Sequence, residues 1–174
     1  NPVPVKIETD SVSADNISQY VYFPANSEKI PLLVGLMNTL EPQRAIVFVN
    51  TKHSAERIEA YLKVNDIKAA MISGDVRQSK RERYLKDFAE GRYQVLIATD
   101  VAARGLHIPA VSHVFNFDLP QIAEDYVHRI GRTARAGASG EAHSFACEDT
   151  AFHLPEIEDY IGKALPVVAI GPEL

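Results

Sequence analysis

The chain has 174 residues with a formal net charge of −5; 46 % of its side chains are hydrophobic, 24 % are charged, and one is a cysteine. A chain this long buries roughly two thirds of the surface it exposes when unfolded, so one domain needing neither disulfides nor structural metal is expected. The lone cysteine, Cys147, excludes a disulfide framework and any Cys₂His₂ or Cys₄ zinc site, and an acidic balance argues against a bulk electrostatic binder of nucleic acid. No apolar run approaches the ~20 residues of a membrane span and no signal-peptide pattern opens the chain, so a cytoplasmic location is expected. A start at Asn1 rather than methionine is expected of a fragment or a processed product.

Taken in chain order, Asn1-Pro2-Val3-Pro4 and the polar residues to Asn16 read as an extended linker. Ile17–Phe23 is β-branched and aromatic, a strand. Pro24–Ser27 supplies a turn and cap, and Leu32, Leu33, Leu36, Met37 and Leu40 follow at helical spacing. Arg44–Val49 is an apolar run of strand length, the pattern of a strand buried on both faces. A helix over Ser54–Val64, a strand at Ala69–Ile72, a helix over Ser79–Phe88 and a strand at Val95–Ala98 come next. Val111–Phe117 is a further strand and Ile122–Ile130 a further helix. Glu141–Cys147 ends the strands, and Asp149–Ile161 is helical apart from an interruption at Pro155. Such alternation predicts an α/β domain over residues 17–165 with a mostly parallel sheet, leaving 166–174 as a C-terminal tail.

The charge is unevenly spread. Residues 1–137 carry a net +1, and residues 138–174 a net −6. Two basic clusters stand out: Arg77, Lys80, Arg81, Arg83 and Lys86, then Arg129, Arg132 and Arg135.

In open parallel sheets, ligands bind beyond the carboxyl ends of the strands. The strands here are followed by Asn50-Thr51, Ser73-Gly74-Asp75, Thr99-Asp100 and Asp118-Leu119-Pro120. Capping alone explains any one of these. Four together, with Gly74 open to close approach and Arg77, Lys80 and Arg81 in reach, point to a phosphate-containing ligand at the rim. In His128–Arg135, arginines three apart drift only ~60° each around a helix, so all three are expected on one stripe. Glu124 and Asp125 stand four residues before His128 and Arg129, which are therefore expected to be ion-paired along the helix. Arg132 and Arg135 have no such acid and are left to face something else.

Some patterns are absent. The sequence contains no G-x-x-x-x-G-K-[ST] phosphate loop, no G-x-G-x-x-G fingerprint, no G-x-S-x-G elbow and no H-E-x-x-H or His/Cys constellation, so no metal site is expected. Cys147, at a strand end, reads as an inert core thiol.

These residues together resemble the C-terminal RecA-like domain of a DEAD-box RNA helicase. Ala45–Lys52 resembles motif IV, Gln78-Ser79-Lys80-Arg81 the Q-x-x-R of motif IVa, Ala98–Leu106 motif V, and His128–Arg135 the H-R-x-G-R-x-x-R of motif VI. The resemblance implies a three-layer α/β/α fold and an enzyme that hydrolyses ATP, with Mg2+, to open short RNA duplexes. Both cofactors would be held mainly by an N-terminal RecA-like domain joined through the linker. It places Arg132 and Arg135 at the γ-phosphate, Arg135 as arginine finger, and His128 against the partner domain's DEAD motif. Gly105 and His107 would lie at the nucleotide. Asn50, Thr51, Gly74, Asp75, Gln78, Arg81, Thr99 and Asp100 would hold the RNA backbone. Two departures stand out: His107 replaces the aspartate that usually holds the ribose, and Ala134 replaces a usual glycine. Arg104–Pro109, Tyr22-Phe23-Pro24 and Asn116–Pro120 are similar to one bacterial branch, whose members work in the RNA degradosome. In that branch, this domain docks on an arginine-rich segment of the ribonuclease E scaffold, for which the acidic stretch from Glu141 to Asp159 offers a surface. The isolated chain is expected to be inactive. A docking module without catalysis and a related helicase acting on DNA remain as alternative readings.

Overall fold

The computed structural model describes residues 16–171, so all but Asn16 of the expected linker lies outside it. Six strands form one sheet: β1 (Ile17–Tyr22), β2 (Ala45–Phe48), β3 (Ala69–Ile72), β4 (Val95–Ala98), β5 (His113–Asn116) and β6 (Gly140–Phe145). Their spatial order is β1-β6-β5-β2-β4-β3, and every pairing is parallel. β2 and β4, both interior strands, are buried at every position, which is why their sequences are unbroken apolar runs instead of alternating ones.

The connections are α1 (Lys29–Leu40), α2 (Lys52–Val64), α3 (Gln78–Ala89), α4 (Asp100–Ala103), α5 (Ala123–Ile130) and α6 (Leu154–Ile161). Leu32, Leu33, Leu36 and Met37 of α1 and Ala55, Ile58 and Leu62 of α2 cover Val47, Ile97, Phe115 and Phe145 on one face. Phe88 of α3, Tyr126 and Ile130 of α5 and Leu154 and Ile157 of α6 cover Ile46, Leu96 and Val114 on the other. The result is the expected three-layer α/β/α domain. Each large side chain so buried contributes ~1.5–3 kcal/mol, and these two layers hold the sheet rigid.

Two local expectations need correcting, and one short helix was not foreseen. Pro155 does not interrupt a helix: it sits in the first turn of α6, where its missing N–H is no loss. The four-residue α4 carried no sequence signal of its own. Most consequentially, the helix carrying the arginines ends at Ile130. Gly131 caps it, and the following backbone is taken by Val111, whose N–H bonds to the Arg132 carbonyl at 3.1 Å and which bridges Thr133. The three arginines therefore do not share a helical stripe. Beyond Leu165, the Pro166 carbonyl and the Val168 N–H both bond Val21, at 2.9 Å each, so this part of the expected tail lies along β1.

Candidate functional site

β2, β3, β4 and β5 each lead into small polar residues at one rim of the sheet. Thr51 caps α2 by accepting the Ser54 N–H at 3.1 Å, and Thr99 caps α4 by accepting the Ala102 N–H at 3.2 Å. Either cap stabilises its helix by ~1 kcal/mol and fixes the residue that follows. After Thr99 that residue is Asp100, held where its carboxylate faces β2 and α5.

Arg129 meets it there. Its side chain is fully buried, and Nε and Nη2 donate to the two Asp100 carboxylate oxygens at 2.8 and 2.7 Å. Nη2 also donates to Asn50 Oδ1 at 2.9 Å, and Nη1 to the Asp118 carbonyl at 2.7 Å and, more loosely, to Asn116 Oδ1 at 3.4 Å. All five guanidinium hydrogens are thus engaged. The group also lies over the Phe48 ring, 5.3 Å from its centroid. The expected helical pair with Asp125 gives way to a fork–fork pair with Asp100, because the bidentate geometry and the carbonyl acceptors are available only inward.

The network extends through Asp118. One of its carboxylate oxygens accepts the Asn50 N–H at 2.9 Å, the other accepts from Lys29 Nζ at 2.5 Å, and Lys29 stands 4.3 Å above the Phe117 ring. The amide of Asn50 also donates to the Leu119 carbonyl at 3.0 Å. Sequence reasoning missed Lys29 and Asn116. The available signals were an amide at the end of an otherwise apolar strand and a lysine opening α1 with leucines, not acids, three and four residues on.

Arg132 and Arg135 differ from Arg129. Arg132 is half-buried and, among the described residues, bonds only the carbonyls of Leu106 at 3.3 Å and Ala103 at 3.5 Å. Burial, then the neighbouring Arg135 charge, lowers its pKa from the ordinary value, against the opposing pull of Asp100. Arginine nonetheless keeps its charge. Arg135 Nε donates to the Gly131 carbonyl at 3.2 Å, and its terminal nitrogens have no partner among the described residues. His128 is exposed, 3.7 Å from Glu124 and 3.9 Å from Asp125, close to the expected helical pairing. A cleft of about 130 Å³ lies among Gly105, His128, Arg129 and Arg132, opening from Asp100. Gly105 has φ +77°, a conformation a side chain would strain. His107 beside it is exposed.

The remaining candidates line the same rim. Thr51, Gly74, Asp75 and Gln78 are exposed, and Lys52 pairs with Asp75 to link the loops after β2 and β3. Gln78 accepts from Arg81 Nη2 at 2.6 Å, while the buried Arg81 Nε has no partner among the described residues. The side chains of Asn50 and Asp100, by contrast, are committed to Arg129. A larger cavity, about 740 Å³, lies on the other side of the sheet between α1 and α2 and meets the network only at Lys29, Phe117 and Asp118.

The helicase conserved C-terminal domain family matches residues 28–137. ATP-dependent RNA helicase RhlB of Vibrio campbellii is 53 % identical over 167 residues, covering 96 % of this chain and 38 % of that protein. RhlB of Idiomarina loihiensis is 53 % identical over 166 residues, 95 % of this chain and 39 % of that one. The chain therefore spans about two fifths of the length of these relatives. Among solved structures, the E. coli DEAD-box protein SrmB bound to regulator of ribonuclease activity A superimposes with a TM-score of 0.84 at 41 % identity, covering 88 % of this chain and 91 % of that one. S. cerevisiae Dbp5 bound to RNA and ADP BeF3 superimposes with a TM-score of 0.81 at 36 % identity, covering 90 % of this chain and 42 % of that one.

Proposed function

Because the chain belongs to the helicase C-terminal domain family, with DEAD-box RNA helicases as its relatives, we propose that it is the C-terminal half of an ATP-dependent RNA helicase. It contributes an arginine finger and RNA-backbone contacts, and it does no chemistry alone. The observation that carries this reading is the contrast within one motif. Arg129 is bonded through every donor, whereas Arg135, six residues later and half-buried, has no partner for its terminal nitrogens among the described residues.

A nucleoside triphosphate fits this edge of the molecule. Arg132 and Arg135 supply planar, permanent charge for phosphate oxygens, and the bend at Gly105 gives an approach to the nucleoside beside His107. Mg2+ would be held by an N-terminal RecA-like domain, as would most of the nucleotide. What this chain adds is positive charge aimed at the transferring phosphoryl group, an effect worth ~10³–10⁵ in rate where such fingers act. RNA lies along Thr51, Gly74, Asp75, Gln78, Arg81 and Thr99, gripped without regard to sequence, with Asn50 and Asp100 shaping the rim through Arg129. His128 faces the other domain. The reading extends to a cytoplasmic helicase of RNA degradation that takes a basic scaffold such as ribonuclease E on its acidic C-terminal surface, a partner that the net −6 of residues 138–174 supports.

In the two-domain protein, Arg135→Ala abolishes RNA-stimulated ATP hydrolysis while the fold, read by circular dichroism, is unchanged. Wild-type turnover by that variant overturns the finger assignment. The 174-residue chain alone shows no RNA-stimulated turnover; measurable hydrolysis by it overturns the division of labour.

A further inference from the structure

At the opposite end of the strands, the amino end, the sheet assembles a cluster with no part in the rim. The parallel register sets His113 of β5 beside Glu141 of β6, and the pleat returns His143, two residues on, to the same face. His143 Nε2 lies 2.9 Å from one Glu141 carboxylate oxygen, and His113 Nε2 lies 3.6 Å from the other. The three ligand atoms all fall within 4.8 Å of one another.

We propose that His113, Glu141 and His143 form a binding site for a divalent transition-metal ion of the Zn2+ class. Ligands bound tetrahedrally at ~2.0–2.1 Å stand about 3.3 Å apart, between the two separations seen here. Two imidazoles and one carboxylate suit Zn2+ and its neighbours better than Mg2+ or Ca2+, which take oxygen ligands. The outer shell is already in place. His113 Nδ1 lies 2.8 Å from Ser112 Oγ, and His143 Nδ1 lies 2.8 Å from the Tyr22 hydroxyl. Such partners orient a ligating ring and fix its tautomer.

In the metal-free arrangement, His143 Nε2–H donates to Glu141 and the Tyr22 hydroxyl donates to Nδ1. On binding, the imidazole proton sits on Nδ1, the Tyr22 oxygen accepts it, and Nε2 turns its lone pair to the metal. Stacking on Tyr20 at 5.1 Å and Phe115 at 5.4 Å holds the His143 ring in place. Burial lowers the pKa of both histidines from the ordinary value of 6.5, which favours the neutral, ligating form. Glu141, with 38 % of its side chain exposed, leaves a fourth position open to water. The site stands independently of the helicase reading.

The test uses the 174-residue chain stripped with chelator, then titrated with Co2+, read by visible absorption, and with Zn2+, read by calorimetry. One ion per chain with low-symmetry Co2+ bands is expected. His113→Ala and Glu141→Gln each weaken binding at least ten-fold with unchanged circular dichroism, and Tyr22→Phe weakens it by roughly ten-fold through the outer shell. His53→Ala, at an exposed position remote from the cluster, leaves affinity unchanged. No saturable binding, or wild-type affinity in His113→Ala and Glu141→Gln, overturns the proposal. His143 is too buried for its removal to be informative, so the two edge ligands decide the outcome.

Discussion

Arg129 and Arg135 come from one eight-residue motif and meet opposite surroundings. Arg129 points into the sheet, where a carboxylate, two amide oxygens and a carbonyl receive it and no water reaches it. Arg135 follows the end of α5, touches one carbonyl through Nε, and has no partner for its terminal nitrogens among the described residues. Three residues of backbone make the difference. Once Val111 captures the chain at Arg132 and Thr133, the helical path is lost and the later arginines turn outward. The motif thus holds one buried, fully bonded arginine and one loosely bonded at the edge, and the buried one fixes the rim beside it.

The largest test of that division is stability. Arg129→Ala leaves Asp100 facing a buried void and is expected to destabilise the chain by ~3–5 kcal/mol, the usual effect of removing one partner of a buried pair. Arg132→Ala and Arg135→Ala, which each give up only long or single bonds to carbonyls, stay within ~0.5 kcal/mol of wild type. Denaturant midpoints for the three variants decide it. Equal losses at all three positions would erase the distinction. Arg129→Lys should fall between, because an ammonium keeps the charge but cannot form the two-pronged pair with Asp100.

The same contrast explains what could be read in advance. The strands were legible because central parallel strands are buried on both faces, so β2 and β4 stand out as apolar runs. The rim was legible too, since parallel strands all end on one side whatever their lateral order. The role of Arg129 was not. An acid at the right helical spacing, Asp125, offered a local partner, whereas the true one, Asp100, is 29 residues away and reached only through the pairing of β4 with β2. Nor could spacing show where α5 stops, because the residue that ends it, Val111, lies 22 residues from Thr133. His113 and His143 escaped for the same reason: register, not sequence distance, brings them to one carboxylate.

A middle-sized effect should come from the fastening of the outward segment. A methyl on Gly140 would lie 2.1 Å from Thr133 Oγ1 and 2.7 Å from Cγ2, and Thr133 is fully buried with its hydroxyl donating to the Val111 carbonyl. Neither side can give way, so Gly140→Ala is expected to lose ~1–3 kcal/mol by overpacking. Adding Thr133→Ala removes two of the three close atoms. The double variant should therefore be more stable than the two single losses added together predict. Simple additivity in thermal denaturation would mean that Thr133 and Gly140 do not clamp this segment.

The smallest expected effect lies between the two outward arginines. Ala134 has φ +58° and is 2 % exposed, so its backbone is in the left-handed region while its methyl is buried. Replacing it with glycine relieves ~1–2 kcal/mol of left-handed strain. It also gives up ~0.8 kcal/mol of buried methyl and adds ~0.4–1 kcal/mol of unfolded-chain entropy. These contributions nearly cancel, so Ala134→Gly should change stability by no more than ~0.5 kcal/mol. A gain above ~1 kcal/mol would show that the turn is held under greater strain than its angle implies. The Val111–Thr133 clamp would then be storing that strain to present Arg135, whereas Arg129 needs no strain to hold its place.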